Sequence, residues 1–167
     1  MATTELNGTP IQTCGELPSV GTQLPAFVLT DADLGDVTSA SLEGRRVVLN
    51  IFPSIDTSVC AMSVRQFNQR AASLPNTTVV CVSHDLPFAL GRFCAAEGIE
   101  NVVTASAFRS TFGNDYGVTM VDGPLERLLA RAIVIADAQG TVQHVQLVSN
   151  VADEPDYDAA VVAVHAA

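Results

Sequence analysis

The fold is decided by residues 47–60, Val47-Val-Leu-Asn-Ile-Phe-Pro-Ser-Ile-Asp-Thr-Ser-Val-Cys60. The first six residues are almost wholly apolar, which predicts a strand at the centre of a sheet. Pro53 ends this strand, and a helix is predicted to run from about Thr57 to Leu74. The segment therefore places a single cysteine in the first turns of a helix that follows a buried strand.

The predicted helix carries Val64, Phe67 and Ala71 at helical spacing on one face, as a helix packed against a core does. Its expected N-terminal cap is Asp56 or Ser54, because either side chain can accept a hydrogen bond from a free backbone N–H. A cap at either position would fix the start of the helix just before the cysteine.

Cys60 lies where a thiolate is favoured. The N-terminus of a helix concentrates unpaired N–H donors and a partial positive charge, and both stabilise the thiolate over the thiol. Thr57 adds a hydroxyl one helical turn earlier, although it is also an ordinary helix-start residue. A free cysteine is most often a small buried hydrophobe, and position alone leaves that reading open. No second cysteine follows at the spacing of a Cys-x-x-Cys pair.

The composition is that of an ordinary globular protein. The chain has 167 residues, of which 48% are hydrophobic, and no apolar run approaches the length of a membrane span. We expect one domain over residues 1–167, with residues 1–20 as an N-terminal extension. The first residues lack the basic region and apolar stretch of a signal peptide, so we expect a cytoplasmic protein with reduced cysteines.

The charge excludes one class of partner. With 18 acidic against 8 basic residues and a net charge of -10, the chain repels phosphate backbones and anionic membrane surfaces. We therefore expect no nucleic-acid or membrane partner.

The order of elements predicts an α/β fold. Asn7-Gly8 is a hairpin turn between short strands at 3–6 and 9–13. Further strands are predicted at 27–30, 77–83, 102–104, 132–137 and 141–148, and further helices at 87–97, 107–114 and 156–164. This order fits the thioredoxin-like fold, a central mixed sheet flanked by helices, with an added N-terminal β-hairpin.

The other three cysteines differ in context. Cys81 lies inside an apolar strand, where burial leaves a thiol inert, and Cys14 has no activating neighbour in sequence. Cys94 lies on the second predicted helix, too far along the chain from Cys60 for a local redox pair. Helices after adjacent parallel strands can pack side by side, so Cys94 is either a neighbour of Cys60 or only a core residue.

Arg131 requires a reason, because it stands between the apolar runs 128–130 and 132–136 in a chain with only eight basic residues. The three histidines are scattered, and His84 has the position of a solvated loop histidine. No Cys/His cluster has the spacing of zinc ligands, so we expect no metal site.

A family resemblance adds to these inferences. The pattern Pro53-x-x-x-Thr57-x-x-Cys60 resembles the peroxidatic signature of the peroxiredoxins, and the longer string 50–60 resembles the thiol peroxidase branch of that family. The segment Asp85-Leu-Pro-Phe-Ala-Leu-Gly-Arg-Phe-Cys94 is similar to the one that carries the resolving cysteine in thiol peroxidases. The resemblance extends over nearly the whole chain.

The resemblance implies roles for five residues. Cys60 would be the peroxidatic cysteine and Cys94 the resolving cysteine, joined in an intramolecular disulfide. Pro53 would shield the thiolate, Thr57 would hydrogen-bond the peroxide, and Arg131 would be the active-site arginine. Thioredoxin would be the reductant, no cofactor would be bound, and the chain would form a homodimer.

The implied activity is the reduction of hydrogen peroxide and alkyl hydroperoxides through a sulfenic acid on Cys60. Two other functions remain open: a thiol–disulfide oxidoreductase of the same fold, and a redox sensor in which the two cysteines switch a partner surface. The lack of a Cys-x-x-Cys pair argues against the first.

Overall fold

The computed structural model describes all 167 residues, which form nine strands, four α-helices and a 3-10 helix at Ala40–Leu42. The strands are β1 (Thr3–Leu6), β2 (Thr9–Gln12), β3 (Val28–Thr30), β4 (Asp36–Thr38), β5 (Arg46–Ile51), β6 (Thr77–Ser83), β7 (Val103–Ser106), β8 (Ala132–Ala136) and β9 (Val142–Leu147). The helices are α1 (Ser58–Ala71), α2 (Pro87–Glu97), α3 (Phe112–Asp115) and α4 (Tyr157–Ala166).

A seven-stranded mixed sheet in the order β4-β3-β7-β6-β5-β8-β9 is the frame of the molecule. The neighbouring strands β5, β6 and β7 are parallel, and β8 lies antiparallel to β5 on its other side. The strands β1 and β2 form a separate antiparallel hairpin. This arrangement confirms the predicted α/β architecture with its N-terminal hairpin.

Both faces of the sheet are covered by apolar residues. One face packs against α1, α2 and α4, which supply buried residues such as Val64, Leu90 and Val164. The segment that contains α3 covers the other face, where Phe112 and Tyr116 stack at 4.2 Å between ring centroids. The two helices predicted to carry Cys60 and Cys94 therefore share one face of the sheet.

The cap of α1 differs from the predicted one. Thr57 caps the helix, and its hydroxyl accepts a hydrogen bond from the Cys60 N–H at 3.4 Å. The two predicted residues have other partners: the Ser54 hydroxyl accepts from the Asp56 N–H and donates to the Asp85 carboxylate, and Asp56 forms an ion pair with Arg92. The cap thus lies closer to the cysteine than the sequence suggested.

The predicted helix at 107–114 is wrong over most of its length, because only Phe112–Asp115 is helical. A serine side chain takes a backbone donor that a longer helix would use. Ser110 accepts from the Phe112 N–H at 3.2 Å, whereas a helix over 107–114 would pair this N–H with the Phe108 carbonyl. Such local bonds compete with helix formation.

The short strand β4 lies in a segment for which the sequence predicts no strand. It pairs antiparallel with β3 at the sheet edge, where its exposed or half-buried residues give no apolar pattern. In contrast, α2 has the predicted bounds: Pro87 lies in its first turn and Gly98, at φ 65, ends it.

No helix in the chain has the length and apolar character required to cross a membrane.

Candidate active site

The Cys60 thiol is fully buried in the first turn of α1 and contacts a guanidinium group. The Arg131 Nη2 donates to the Cys60 Sγ at 3.3 Å. A positive charge at this distance favours thiolate over thiol, and so does the helix N-terminus. Burial excludes bulk water from the sulfur, while the guanidinium offsets the cost of holding a negative charge there.

Arg131 itself is only 2% exposed and directly precedes β8. Its Nε donates to the Val151 carbonyl at 2.9 Å, whereas its Nη1 is buried without a partner. An unpaired buried donor costs about 1–3 kcal/mol. The guanidinium therefore holds an open donor beside the thiol, and this explains why an arginine interrupts two apolar runs.

The turn before α1 positions the cysteine. Pro53 is buried at the end of β5, and Thr57 is exposed at the helix start. The Thr57 hydroxyl donates to the Ser54 carbonyl at 3.2 Å while it accepts from the Cys60 N–H. The hydroxyl is thus within one turn of the thiol, on the side of the site that faces solvent.

Two buried polar residues tie the first turn of α1 to the sheet. Ser63 donates to the Cys60 carbonyl at 2.8 Å, and Asn50 Nδ2 on β5 donates to Ser63 at 3.2 Å. Sequence reasoning missed this pair, although a lone asparagine within the apolar stretch 47–52 is a signal that a buried polar partner exists.

Sequence reasoning also missed Asp85. Its carboxylate accepts from the Ser54 hydroxyl at 2.9 Å and from the Ile55 N–H at 2.7 Å, both in the turn before α1. The signal for it is topological: Asp85 follows β6, Pro53 follows β5, and the carboxyl ends of adjacent parallel strands meet at one edge of a sheet.

Cys94 lies on the same face of the sheet as Cys60 but at a different strand. Its half-buried Sγ lies 3.4 Å from the Thr104 hydroxyl on β7, and all four cysteines are free thiols. Each thiol has a different partner: Arg131, just before β8, for Cys60, and Thr104 on β7 for Cys94. Three interstrand spacings, roughly 14 Å, separate β7 from β8. Because a disulfide needs Cα atoms within about 7 Å, we expect that bridging the two cysteines requires local movement of one or both helices.

The helices α1 and α2 nevertheless lie side by side. Arg65 donates twice to the Glu97 carboxylate, at 2.9 and 3.0 Å, and the Asn68 side chain accepts from the Asn101 N–H at 2.8 Å. These contacts confirm the predicted neighbourhood of the two helices. They join the end of α2 and the segment that follows it to the middle of α1.

The remaining cysteines lie in environments that differ from that of Cys60. Cys81 is fully buried in β6, where burial raises its thiol pKa to about 12, and its nearest polar partner is the Asn50 amide at 3.6 Å. Cys14 is partly exposed, and its thiol donates to the Gly113 carbonyl at 3.6 Å. Neither thiol lies next to a positive charge that would favour the thiolate.

His84 is half-buried, so the prediction of a solvated loop histidine is wrong. Burial lowers its pKa, and a hydrogen bond with the Arg127 backbone partly opposes this effect. The side chain lies at the end of β6, one residue before Asp85. No group of three or more His, Cys, Asp or Glu side chains is arranged to hold a metal ion.

Comparison with known proteins places this site in a family. Residues 19–161 match the family model described as Redoxin. The chain is 57% identical to a thiol peroxidase from Corynebacterium glutamicum, over 99% of this chain and 100% of that one. It is equally identical to a thiol peroxidase from Mycobacterium tuberculosis, with the same coverage.

Solved structures are consistent with this family match. A peroxiredoxin-like protein from Aquifex aeolicus superimposes with a TM-score of 0.95 at 37% identity, over 99% of this chain and 97% of that one. A thiol peroxidase from Chromobacterium violaceum has the same fold, with a TM-score of 0.90 at 24% identity, over 98% and 95%. The chain belongs to the redoxin family. The two relatives at 57% identity are thiol peroxidases, which confirms the resemblance seen in the sequence.

Proposed function

We propose that the chain is a thiol-dependent peroxidase in which the Cys60 thiolate attacks the terminal oxygen of a hydroperoxide. The carrying observation is the buried Cys60 thiol 3.3 Å from a guanidinium that still has an unpaired donor. A sulfur–oxygen bond forms and the peroxide O–O bond breaks. Sulfur loses two electrons and becomes a sulfenic acid, while the leaving oxygen takes a proton and departs as an alcohol, or as water from hydrogen peroxide.

Arg131 has two roles in this step. Its Nη2 stabilises the thiolate, and its Nη1 is open to a peroxide oxygen, on which negative charge develops as the O–O bond breaks. A well-placed donor to such an oxygen is worth about 3–4 kcal/mol of transition-state stabilisation. Thr57 can turn its hydroxyl from the Ser54 carbonyl to the peroxide, and buried Pro53 keeps water from the thiolate.

Cys94 is the resolving cysteine in this proposal. Its thiol attacks the Cys60 sulfenic acid, an intramolecular S–S bond forms, and the hydroxyl leaves as water. The first turn of α1 must unwind for the two sulfurs to meet. Closing a loop of this length removes unfolded-state entropy worth roughly 3–4 kcal/mol, which is enough to offset a modest local unwinding.

The substrates, the reductant, the cellular location and the oligomeric state are proposed on the same basis. The substrates are hydrogen peroxide and alkyl hydroperoxides, thioredoxin reduces the disulfide, and no bound cofactor takes part. The chain acts in the cytoplasm as one domain over residues 1–167, with residues 1–20 as its hairpin extension. Exposed apolar side chains beside the site, on Leu86, Phe88 and Phe108, support a homodimer, since each is between 43 and 65% exposed.

A coupled assay tests this function. Reduced protein is mixed with a hydroperoxide, thioredoxin, thioredoxin reductase and NADPH, and NADPH oxidation is followed. We expect repeated turnover that depends on hydroperoxide. A redox sensor would be oxidised once without turnover, and a thiol–disulfide oxidoreductase would act on a disulfide substrate without any need for peroxide; either result would contradict the proposal.

A further inference from the structure

Asp85 joins the turn before Cys60 to the connection that leads into the Cys94 helix. Its carboxylate accepts three hydrogen bonds, from the Ser54 hydroxyl at 2.9 Å, the Ile55 N–H at 2.7 Å and the Ser83 hydroxyl at 2.6 Å. An ionised carboxylate only accepts hydrogen bonds, so all three donors depend on this one group.

Asp85 is itself held firmly by its backbone. Its N–H donates to the Ser83 hydroxyl at 3.2 Å, and its carbonyl accepts from the Ser106 hydroxyl at the end of β7. The carboxylate therefore projects from a fixed point at the edge of the sheet. The turn 54–57 is the more easily displaced partner, because it is a short connection whose residues are exposed except for Ile55 and half-buried Ser54.

The two half-reactions make opposite demands on this turn. Peroxide attack requires Cys60 beside Arg131, which is the folded arrangement seen here. In the proposed cycle, disulfide formation with Cys94 takes the first turn of α1 out of that position. Every contact that fixes the turn to the sheet edge therefore favours the first step and opposes the second.

We propose that Asp85 is a positioning residue that holds the Cys60 turn in its folded form and so sets how long the sulfenic acid stays beside Arg131 before it reaches Cys94. The inference rests on the proposed function of Cys60 and Cys94. Asp85 does not contact the substrate in this proposal. Asp85 instead shifts the equilibrium between the folded turn and an unwound turn.

This role has a chemical consequence, because the sulfenic acid has two fates. In the unwound form, the Cys94 thiol displaces water and a disulfide results. In the folded form, the sulfenic sulfur attacks a second hydroperoxide; it gains an oxygen and loses two electrons to give a sulfinic acid, and an alcohol leaves. Loss of the Asp85 hydrogen bonds shifts the outcome towards the disulfide.

Asp85→Asn and Ser54→Ala test the proposal, with Asp137→Asn as the matched control. The Asp137 carboxylate also accepts three hydrogen bonds, from the Gln139 N–H, the Thr141 N–H and the Gln143 side chain, but it lies at the opposite end of β8 from Arg131. A general loss of turn stability would affect Asp85→Asn and Asp137→Asn alike. Thermal unfolding is measured for every variant.

The readout is the ratio of sulfinic acid to disulfide at Cys60, measured by mass spectrometry over rising cumene hydroperoxide. For Asp85→Asn we expect the hydroperoxide concentration that gives half sulfinic acid to rise about tenfold, the size expected for a lost hydrogen bond to a charged group. Its first oxidation should slow as well. Ser54→Ala should shift the ratio in the same direction by about threefold, since it removes one of the three bonds to the Asp85 carboxylate. Asp137→Asn should match the wild type.

Two results would overturn the role of Asp85: an unchanged ratio, or a shift towards sulfinic acid, in whichever of Asp85→Asn and Ser54→Ala folds. If Asp137→Asn shifts the ratio as much as Asp85→Asn, general stability is responsible and the inference also fails. Failure of the proposed function would look different, because the wild type itself would then form neither product at Cys60.

Discussion

Cys60 and Cys81 are equally buried, yet their polar neighbours differ. Each is 0% exposed, and they lie on the same side of the sheet within one apolar cluster. Cys60 has a guanidinium at 3.3 Å and a helix N-terminus, whereas Cys81 has only an amide at 3.6 Å, and burial raises its pKa to about 12. The two thiols therefore differ in their charged neighbours and not in their burial, and a nearby positive charge favours the ionised form of an acidic group.

The largest expected effect comes from removing the thiol beside the guanidinium. Cys60→Ser should abolish hydroperoxide reduction, because a serine hydroxyl is almost fully protonated at neutral pH and is a poor nucleophile towards peroxide. Stopped-flow oxidation of the reduced variant, with the wild type as control, measures this directly. Substantial remaining activity would mean that another thiol reacts and that the contrast with Cys81 is misplaced.

Removing the guanidinium should make Cys60 resemble Cys81. Arg131→Met keeps much of the side-chain volume but loses the charge and both donors at the site, so we expect the first oxidation to slow by about 10²–10³-fold. Arg131→Lys should recover part of the rate, because it restores the charge without the planar pair of donors. If Arg131→Met oxidises at the wild-type rate while folded, the guanidinium is not what distinguishes the two thiols.

Cys94→Ser should separate the first step from the second. The variant should react once with hydroperoxide at close to the wild-type rate, since Cys94 contacts Thr104 and not the Cys60 site. It should then lose rapid turnover with thioredoxin and accumulate oxidised Cys60. Normal turnover, with no Cys60–Cys94 bridge in peptide maps of the oxidised wild type, would make Cys94 a core residue only. A bridge between two chains would overturn the intramolecular mechanism.

The smallest effect on oxidation is expected at Cys81. Cys81→Ala should leave the first step unchanged but alter the pH dependence of stability. The folded thiol has its pKa raised from 9.0 to about 12, so between these values the unfolded chain loses a proton that the folded chain retains. Stability of the wild type should therefore fall as pH rises from about 9 towards 12.

Urea unfolding at neutral and at alkaline pH measures this loss of stability. Cys81→Ala should lose less stability on going to alkaline pH than the wild type does. Cys14→Ala is the control, because Cys14 is partly exposed and its removal should leave the alkaline dependence as it is in the wild type. An equal alkaline loss in Cys81→Ala and in the wild type would show that Cys81 ionises as an ordinary thiol.

The sequence predicts the parts of this site that depend on local pattern. The apolar stretch before Pro53 and the helix after it are local features, and so are Pro87 and Gly98 at the ends of α2. These features place Cys60 at a helix start and Cys94 on a neighbouring helix. The strand order that brings α1 and α2 to one face follows from the same alternation of elements.

The rest depends on contacts between distant residues. The sequence identifies Arg131 as an arginine that requires a reason, but its bonds to Cys60 and Val151 arise only once β8 pairs with β5. The predicted cap of α1 is wrong because the Ser54 hydroxyl accepts from the Asp56 N–H instead, and a hydrogen bond to Asp85, some thirty residues away, holds it there. No local pattern contains that long-range contact.

One measurement tests the central claim most directly. Fully reduced protein is treated with one equivalent of hydroperoxide in the presence of a diketone that traps sulfenic acids, and every cysteine is then mapped by mass spectrometry. The account predicts a trapped sulfenic acid or a Cys94 disulfide at Cys60, and Cys81 and Cys14 unmodified. Trapping at Cys81 or Cys14 to an extent comparable with Cys60 would contradict it.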